Sequence, residues 1–182
     1  MLTLKTPKVS LWDERNEKFL YIPEQNLEME HSLVSISKWE STWEVPFLSK
    51  ESKTADQLVD YLRCMTLNKK VDPRVFYYIT TDKELLKKVT DYIEKPMTAT
   101  RFKEKPGQAR ANRTLTSEYI YYLMIAFNIP QEYQKWHINR LLTLIQLCDR
   151  KNTPKKKMSK HDILKNRYYE NEARKKLWKT KG

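Results

Sequence analysis

The chain has 182 residues, two glycines, two cysteines and a formal net charge of +12. Such a length is most simply one domain with terminal arms, able to bury a core without disulfide or metal staples. Two glycines are too few for a phosphate-cradling Gly loop, no run is long enough to cross a bilayer, and the first residues, Met1 to Pro7, lack the basic-then-apolar pattern of a signal peptide.

The first thirty residues read as β-structure. Leu2-Thr-Leu4 alternates, and Val9 and Leu11 are separated from Phe19-Leu-Tyr-Ile22 by the polar run Asp13 to Glu17. That pattern predicts a hairpin, with Leu27-Glu-Met29 as a possible third strand. Leu33, Ile36, Trp39 and Trp43 then fall at helical spacing, and Pro46 breaks the run. Thr54 with Gln57 three residues on is a capping box, which predicts a helix through Leu58, Leu62 and Met65. Asp72-Pro73 opens a short helix ending near Ile79. Thr81 with Glu84 is a second capping box, leading Leu85, Leu86, Val89, Tyr92 and Ile93 down one face.

Residues 94–113 hold Pro96, Pro106, Gly107 and six basic side chains, which predicts a long exposed loop. Loops of that length inside a domain are usually functional or mobile. Thr114 to Cys148 follows as the expected centre of the core. Tyr119 to Phe127 carries no charge, and a helix apolar nearly all round is a buried one. Pro130 ends that helix, because the residue before a proline is pushed out of the helical region, and can open a second. Ile138, Leu141, Leu142 and Ile145 then form a stripe at i, i+3, i+4 and i+7. A tight helical hairpin is expected, with Ile125, Phe127, Leu141, Leu142 and Ile145 nearly fully buried.

The charge is concentrated after this hairpin. From Arg150 to Gly182 there are thirteen Lys or Arg against three Asp or Glu, a net of +10, which leaves about +2 for everything before it. Ser159 is positioned to cap a last helix through Ile163, Leu164, Tyr168, Ala173 and Leu177. Its apolar stripe is thin, so alone it would be marginally helical. The expected fold class is therefore mainly α with a small N-terminal β-ribbon: a ribbon over 1–30, a helical body over 31–153 built around the central hairpin, and a basic helical arm over 154–182.

Catalytic constellations are not legible. His31, His137 and His161 are far apart in sequence, with no Cys or carboxylate at metal-ligand spacing. His137 reads as a partly buried helix histidine bonded to a neighbour. Glu118 and Glu132 read as first-turn acids favoured by the helix dipole. Cys64 and Cys148 read as buried thiols in helices. No serine sits in a Gly-x-Ser-x-Gly setting. No enzyme activity, metal or cofactor is expected.

The arm mixes charge with apolar side chains. Lys155, Lys156 and Lys157 precede Leu164, Tyr168, Leu177 and Trp178, which form the expected partner-binding set. Phosphate neutralisation would give nucleic-acid affinity with steep salt dependence; apolar anchors fit docking on a protein, and Trp is enriched at interface hot spots.

Several strings taken in order carry a resemblance. They are Leu27-Glu-Met-Glu-His-Ser-Leu33, Ser37-Lys-Trp-Glu-Ser41, Pro46-Phe-Leu48, Tyr61-Leu-Arg-Cys-Met-Thr66, Pro96-Met-Thr-Ala-Thr100, Gln134-Lys-Trp-His-Ile-Asn-Arg-Leu-Leu-Thr143 and Pro154-Lys-Lys-Lys-Met-Ser159. Together they resemble a family of small proteins of long-tailed bacteriophages, of the tail assembly chaperone type. The resemblance implies a non-enzymatic protein that binds the tape measure protein, the tail tube protein or both, in the host bacterial cytoplasm during morphogenesis. It carries over no catalytic residues. A virion component, such as a connector or tail-completion protein, and a basic DNA-binding phage protein are the alternatives. A homo-oligomer is compatible with each, and no membrane association is expected.

Overall fold

The computed structural model describes residues 1–14, 17–102, 115–152 and 160–178. The chain divides into two units, Met1–Asp149 and Arg150–Gly182. The architecture is α+β, mainly helical with a small N-terminal sheet region.

Four short strands open the first unit: β1 (Leu2–Thr6), β2 (Val9–Asp13), β3 (Lys18–Ile22) and β4 (Gln25–Met29). β1 pairs antiparallel with β4 and β2 with β3. Leu2 faces Met29, Thr6 faces Gln25, Val9 faces Ile22 and Asp13 faces Lys18, so one register runs through both pairs. The expected hairpin is thus longer than its turn suggests, and Leu27-Glu-Met29 returns to pair with β1 instead of adding a third strand beside β3. Pro7 and Pro23 lie at the interruption, where a missing N–H cannot complete a ladder. The buried face changes there. Below the prolines Leu4, Leu27 and Met29 are buried; above them Ile22 is, while Trp12, Phe19 and Tyr21 stand exposed. Trp12 and Phe19 cover each other edge-to-face, with ring centroids 5.0 Å apart.

Helix α1 (Leu33–Trp43) lies at the centre of the body. Ser32 caps it reciprocally with Ser35, a capping box that uses serine where Glu or Gln is usual. Leu33, Ile36 and Trp39 are almost wholly buried. The Trp39 indole N–H donates to the Gln57 carbonyl (2.8 Å), and that of Trp43 to Asp60 (3.1 Å). These bonds hold α2 (Ala55–Met65) alongside α1. Thr54 and Gln57 cap α2 as the sequence predicts. Val59, Leu62 and Met65 form its buried side with Tyr61.

Helix α3 (Arg74–Thr81) buries Val75, Phe76 and Ile79, and α4 (Lys83–Glu94) buries Leu85, Val89 and Tyr92. The capping residue between them is Asp82, whose carboxylate accepts from the Glu84 and Leu85 N–H groups at 2.9 and 3.0 Å. Thr81 is not the cap: it ends α3, and its hydroxyl donates back to the Tyr78 carbonyl. A carboxylate competes better than a hydroxyl for the positive end of a helix.

The expected exposed loop begins after α4, without helix or strand from Lys95 to Phe102; residues 103–114 lie outside the described residues. Helix α5 (Ser117–Ala126) then starts at the Thr116 cap, and α6 (Ile138–Asn152) follows a 3-10 turn at Gln131–Lys135. The chain leaves α5 through a left-handed residue, Asn128 (φ 52°). The Ile129 N–H donates to the Met124 carbonyl and the Asn128 N–H to that of Ile125, at 2.8 and 3.1 Å. This is a Schellman closure with Asn in the place glycine usually takes. Pro130 therefore opens the 3-10 turn, and α6 starts eight residues later than the proline suggests.

Burial along these two helices departs from expectation in three residues. Leu141 and Ile145 are buried, with Ile120, Met124 and Ile138. Phe127 and Leu142 are only partly buried, and Ile125 is 76% exposed. An uncharged sequence gives no polar face to mark the outer side, so periodicity cannot say that α5 is covered on one side alone. Both cysteines are free and half-buried, less enclosed than expected. No helix among the described residues is long and apolar enough to cross a membrane.

The second unit contains helix α7 (Lys160–Trp178). The proposed cap, Ser159, lies outside the described residues.

Candidate functional site

Three places in the molecule gather functional groups: a buried polar seam, a buried carboxylate, and the basic arm.

The seam is built by residues 28–32, which run between two other segments. On one side the Glu30 N–H donates to the Met65 carbonyl (2.9 Å) and the Leu67 N–H to the Glu28 carbonyl (2.8 Å). On the other the Ile138 N–H donates to the His31 carbonyl (2.7 Å). Ser32 and His137 thereby form a β-bridge. That bridge brings His31 and His137 together, ring centroids 5.0 Å apart and nearly perpendicular. The sequence separated these histidines; long-range backbone pairing joins them.

Each imidazole is held neutral. His31 Nδ1 bonds the Tyr61 hydroxyl. Burial, and then the neighbouring His137, push the His31 pKa down to about 3. His137 bonds the Tyr92 carbonyl through Nε2 (3.1 Å), and its Nδ1 accepts the Asn139 N–H (3.3 Å). That acceptor role requires an unprotonated Nδ1. Burial lowers the His137 pKa, against the opposing pull of the Tyr92 carbonyl and Glu30. The Tyr92 hydroxyl donates to Glu30 Oε1 (2.5 Å), and the Met1 amino group lies 2.8 Å from Glu30 Oε2. Burial raises the pKa of both Tyr61 and Tyr92. Both imidazoles therefore spend their polarity on neighbouring protein groups, tying the ribbon, α2, α4 and α6 to one another. His137 is more deeply buried than the sequence suggests and sits just before α6, in the bridge to Ser32, not on a helix; it is hydrogen-bonded as expected.

The second feature was not legible at all. Glu40 is buried on α1. Its Oε1 accepts the Phe47 N–H and its Oε2 the Ser117 N–H, both at 2.7 Å. Glu44 makes this possible by taking a left-handed conformation (φ 54°) at the end of α1. The chain then turns back, bringing Phe47 onto Glu40. A non-glycine residue in that region costs about 1–2 kcal/mol, offset here by two charge-assisted bonds of about 1.5–3 kcal/mol each. Glu40 thus fastens the α1–α2 connection and the start of α5.

The arm is the place the sequence marked for partner binding. Leu164, Tyr168, Leu177 and Trp178 all lie on α7 and all are exposed, the last two at 77% and 68%. Lys155, Lys156 and Lys157 lie outside the described residues. At 3.6 residues per turn, Leu164, Tyr168 and Trp178 fall on one side of α7, and Tyr169, Ala173 and Leu177 on the opposite side. Instead of a thin stripe, the helix carries apolar side chains on two faces. Between them lie Lys165, Arg167, Arg174 and Lys176, while Lys175, 3.9 Å from Glu172, falls on the side of Tyr168 and Trp178.

Glu118 and Glu132 sit in first helical turns, as expected. Among the described residues no group of three or more His, Cys, Asp or Glu is placed to hold a metal ion. Comparison with protein-family models, with curated proteins and with solved structures finds no match.

Proposed function

We propose that this protein is a non-enzymatic assembly protein of a long-tailed bacteriophage, a tail assembly chaperone that binds the tape measure protein, the tail tube protein or both through its C-terminal arm. The observation that carries the reading is the exposure of Leu164, Tyr168, Leu177 and Trp178 on a helix set in a segment of net charge +10. Most of a helix's stability in a protein comes from packing its apolar face, not from propensity. Large apolar side chains left open on it favour a surface that covers them. Charge speeds the encounter with an acidic partner, and the apolar anchors hold it.

The resemblance of the ordered strings to phage tail assembly proteins supplies the kind of partner. A long, aggregation-prone tape measure must stay soluble while tube subunits polymerise around it. In this reading the protein acts in the host cytoplasm and leaves before the particle is complete.

The test is mass spectrometry of two samples from infected cells: material captured on a tagged full chain, and purified virions. A chaperone is captured with the tape measure or tube protein and is missing from virions. Retention in virions at fixed copy number replaces the chaperone reading with a connector or tail-completion protein. Capture of DNA alone, lost steeply as salt rises, replaces it with a nucleic-acid-binding protein.

A further inference from the structure

Helix α5 has two unlike sides. Ser117, Ile120 and Met124 are buried. On the opposite side Glu118, Tyr122, Ile125 and Ala126 follow at i, i+4, i+7 and i+8, so they form one line along the helix. Tyr122 is 61% exposed and Ile125 76%. Tyr119 stacks beside Tyr122, centroids 6.0 Å apart, and widens the strip. Ile125, one residue before the end of α5, thus places a large aliphatic side chain on the outward face.

The strip leads into a cleft. Glu118 and the Thr116 cap line a cavity of about 330 Å³ together with Glu44, Val45 and Pro46. Glu40 also borders it, but both its oxygens are already taken by the Phe47 and Ser117 N–H groups. Glu44 and Glu118 form no ion pair with another described residue, so among those residues the cleft carries two carboxylates and no cation paired to them. One continuous surface therefore offers apolar contact along its length and negative charge at one end.

We propose that this surface docks an amphipathic helix of a partner protein, lying antiparallel to α5, with Lys or Arg in its last turn. Size argues for a single helix: the ten residues of α5 span about 15 Å, the length of one short helix laid alongside. Apolar anchors at i, i+3, i+4 and i+7 are the way a helix fills such a strip. Charge fixes the direction. The C-terminal turn of a helix favours cations, and the antiparallel arrangement places that turn over Glu44 and Glu118. This surface lies on the first unit, and the proposal does not depend on the function assigned to the arm.

The test uses the full chain and two fluorescent synthetic peptides of about 14 residues, roughly four helical turns. They share Leu at i, i+3, i+4 and i+7; one carries Lys in its last turn and the other Glu. Anisotropy should show the Lys-ended peptide binding about tenfold or more tighter at low salt, the scale of a few favourable charge contacts. Ile125→Glu should lower that affinity about tenfold or more, as expected when a charge enters an apolar contact, without moving the thermal midpoint. Glu118→Lys with Glu44→Lys should reverse the preference between the peptides. Equal binding of both peptides, no binding of either, or indifference to Ile125→Glu would overturn the proposal. So would self-association of full chains that Ile125→Glu abolishes, since the occupant would then be a second copy. If Ile125→Glu loses the peptide while the Leu177→Ala/Trp178→Ala variant keeps it, this surface stands whatever becomes of the arm.

Discussion

Leu33, Ile36 and Trp39 on α1 are almost wholly buried, whereas Leu164, Tyr168, Leu177 and Trp178 on α7 all stand in solvent. The longer helix is the exposed one: α7 has 19 residues and α1 has 11. Phasing separates them. On α1 the large side chains share one face and meet α2 and α5; on α7 they occupy two opposite faces divided by Lys and Arg. A single stripe can be satisfied within one domain. Two stripes on one helix need two covers, and among the described residues of its own unit α7 has neither. The body is therefore stabilised by its own contacts, whereas these four side chains of α7 stay open to solvent.

Core truncation gives the largest separation between the regions. Leu141 is wholly buried on α6. Leu141→Ala is expected to cost about 2–5 kcal/mol, read as a lowered urea midpoint. The half-buried Leu142 should lose less on the same change, and equal losses would contradict the unequal burial of the two side chains.

Removing the buried carboxylate comes next. Glu40→Ala strips two backbone N–H groups of their acceptor, and the expected cost is about 2–4 kcal/mol. Glu40→Gln keeps a single acceptor oxygen and should fall between the wild type and the alanine variant. A neutral Glu40→Ala variant in urea unfolding would show that the α1–α5 fastening contributes nothing.

Acid sharpens the contrast in a graded way. The unfolded chain titrates its histidines near 6.5, while His31 in the fold is pushed down to about 3. Between those values the unfolded state binds more protons, so stability is complete above about pH 6.5 and is lost as pH falls towards 3. His137 acts in the same direction. Asp72 and Asp82, whose carboxyls are held below their ordinary range by Arg74 and by the Leu85 N–H respectively, add to the loss only near pH 4 and below. His31→Gln should flatten the thermal midpoint between pH 6.5 and 4.5. An unchanged slope there would remove the histidine pair as the cause.

The smallest effect belongs to the arm. Leu177→Ala with Trp178→Ala removes two large exposed side chains and should move the thermal midpoint of the body very little, within about 0.5 kcal/mol. A loss of core-like size would contradict the division of roles between α1 and α7.

Much of the body was legible because its signals are local. The Thr54–Gln57 box, the spacing of Leu33, Ile36 and Trp39, and the alternation around Leu4 and Ile22 each depend on residues a few positions apart. The ribbon's length was harder to read, since Pro7 and Pro23 look like strand ends, yet the register continues across them. Asp82 displaced Thr81 as a cap because both residues fit the pattern and only the extent of α3 decides between them. Ile125 failed for a different reason: a helix without polar residues carries no mark of its outer side. The seam was out of reach, since His31 meets His137 only through the backbone pairing of distant segments. Glu40 reads as an ordinary helix-surface acid until Phe47 and Ser117 are brought to it. The arm's charge and apolar content were plain in the sequence, but its exposure on two faces was not.

Apolar anchoring by the arm is tested by capture at two salt concentrations. A tagged full chain, its Leu177→Ala/Trp178→Ala variant, and a variant with Lys155, Lys156 and Lys157 changed to alanine are each used to capture proteins from phage-infected lysate. Capture is repeated near 0.15 M and near 1 M salt, where the screening length falls from about 8 Å to about 3 Å. The wild-type chain should keep its protein partner at the higher salt, and the Leu177→Ala/Trp178→Ala variant should lose it at both. Normal capture by that variant, together with complete loss in the lysine variant and competition by DNA, would contradict apolar anchoring and assign the arm to nucleic acid.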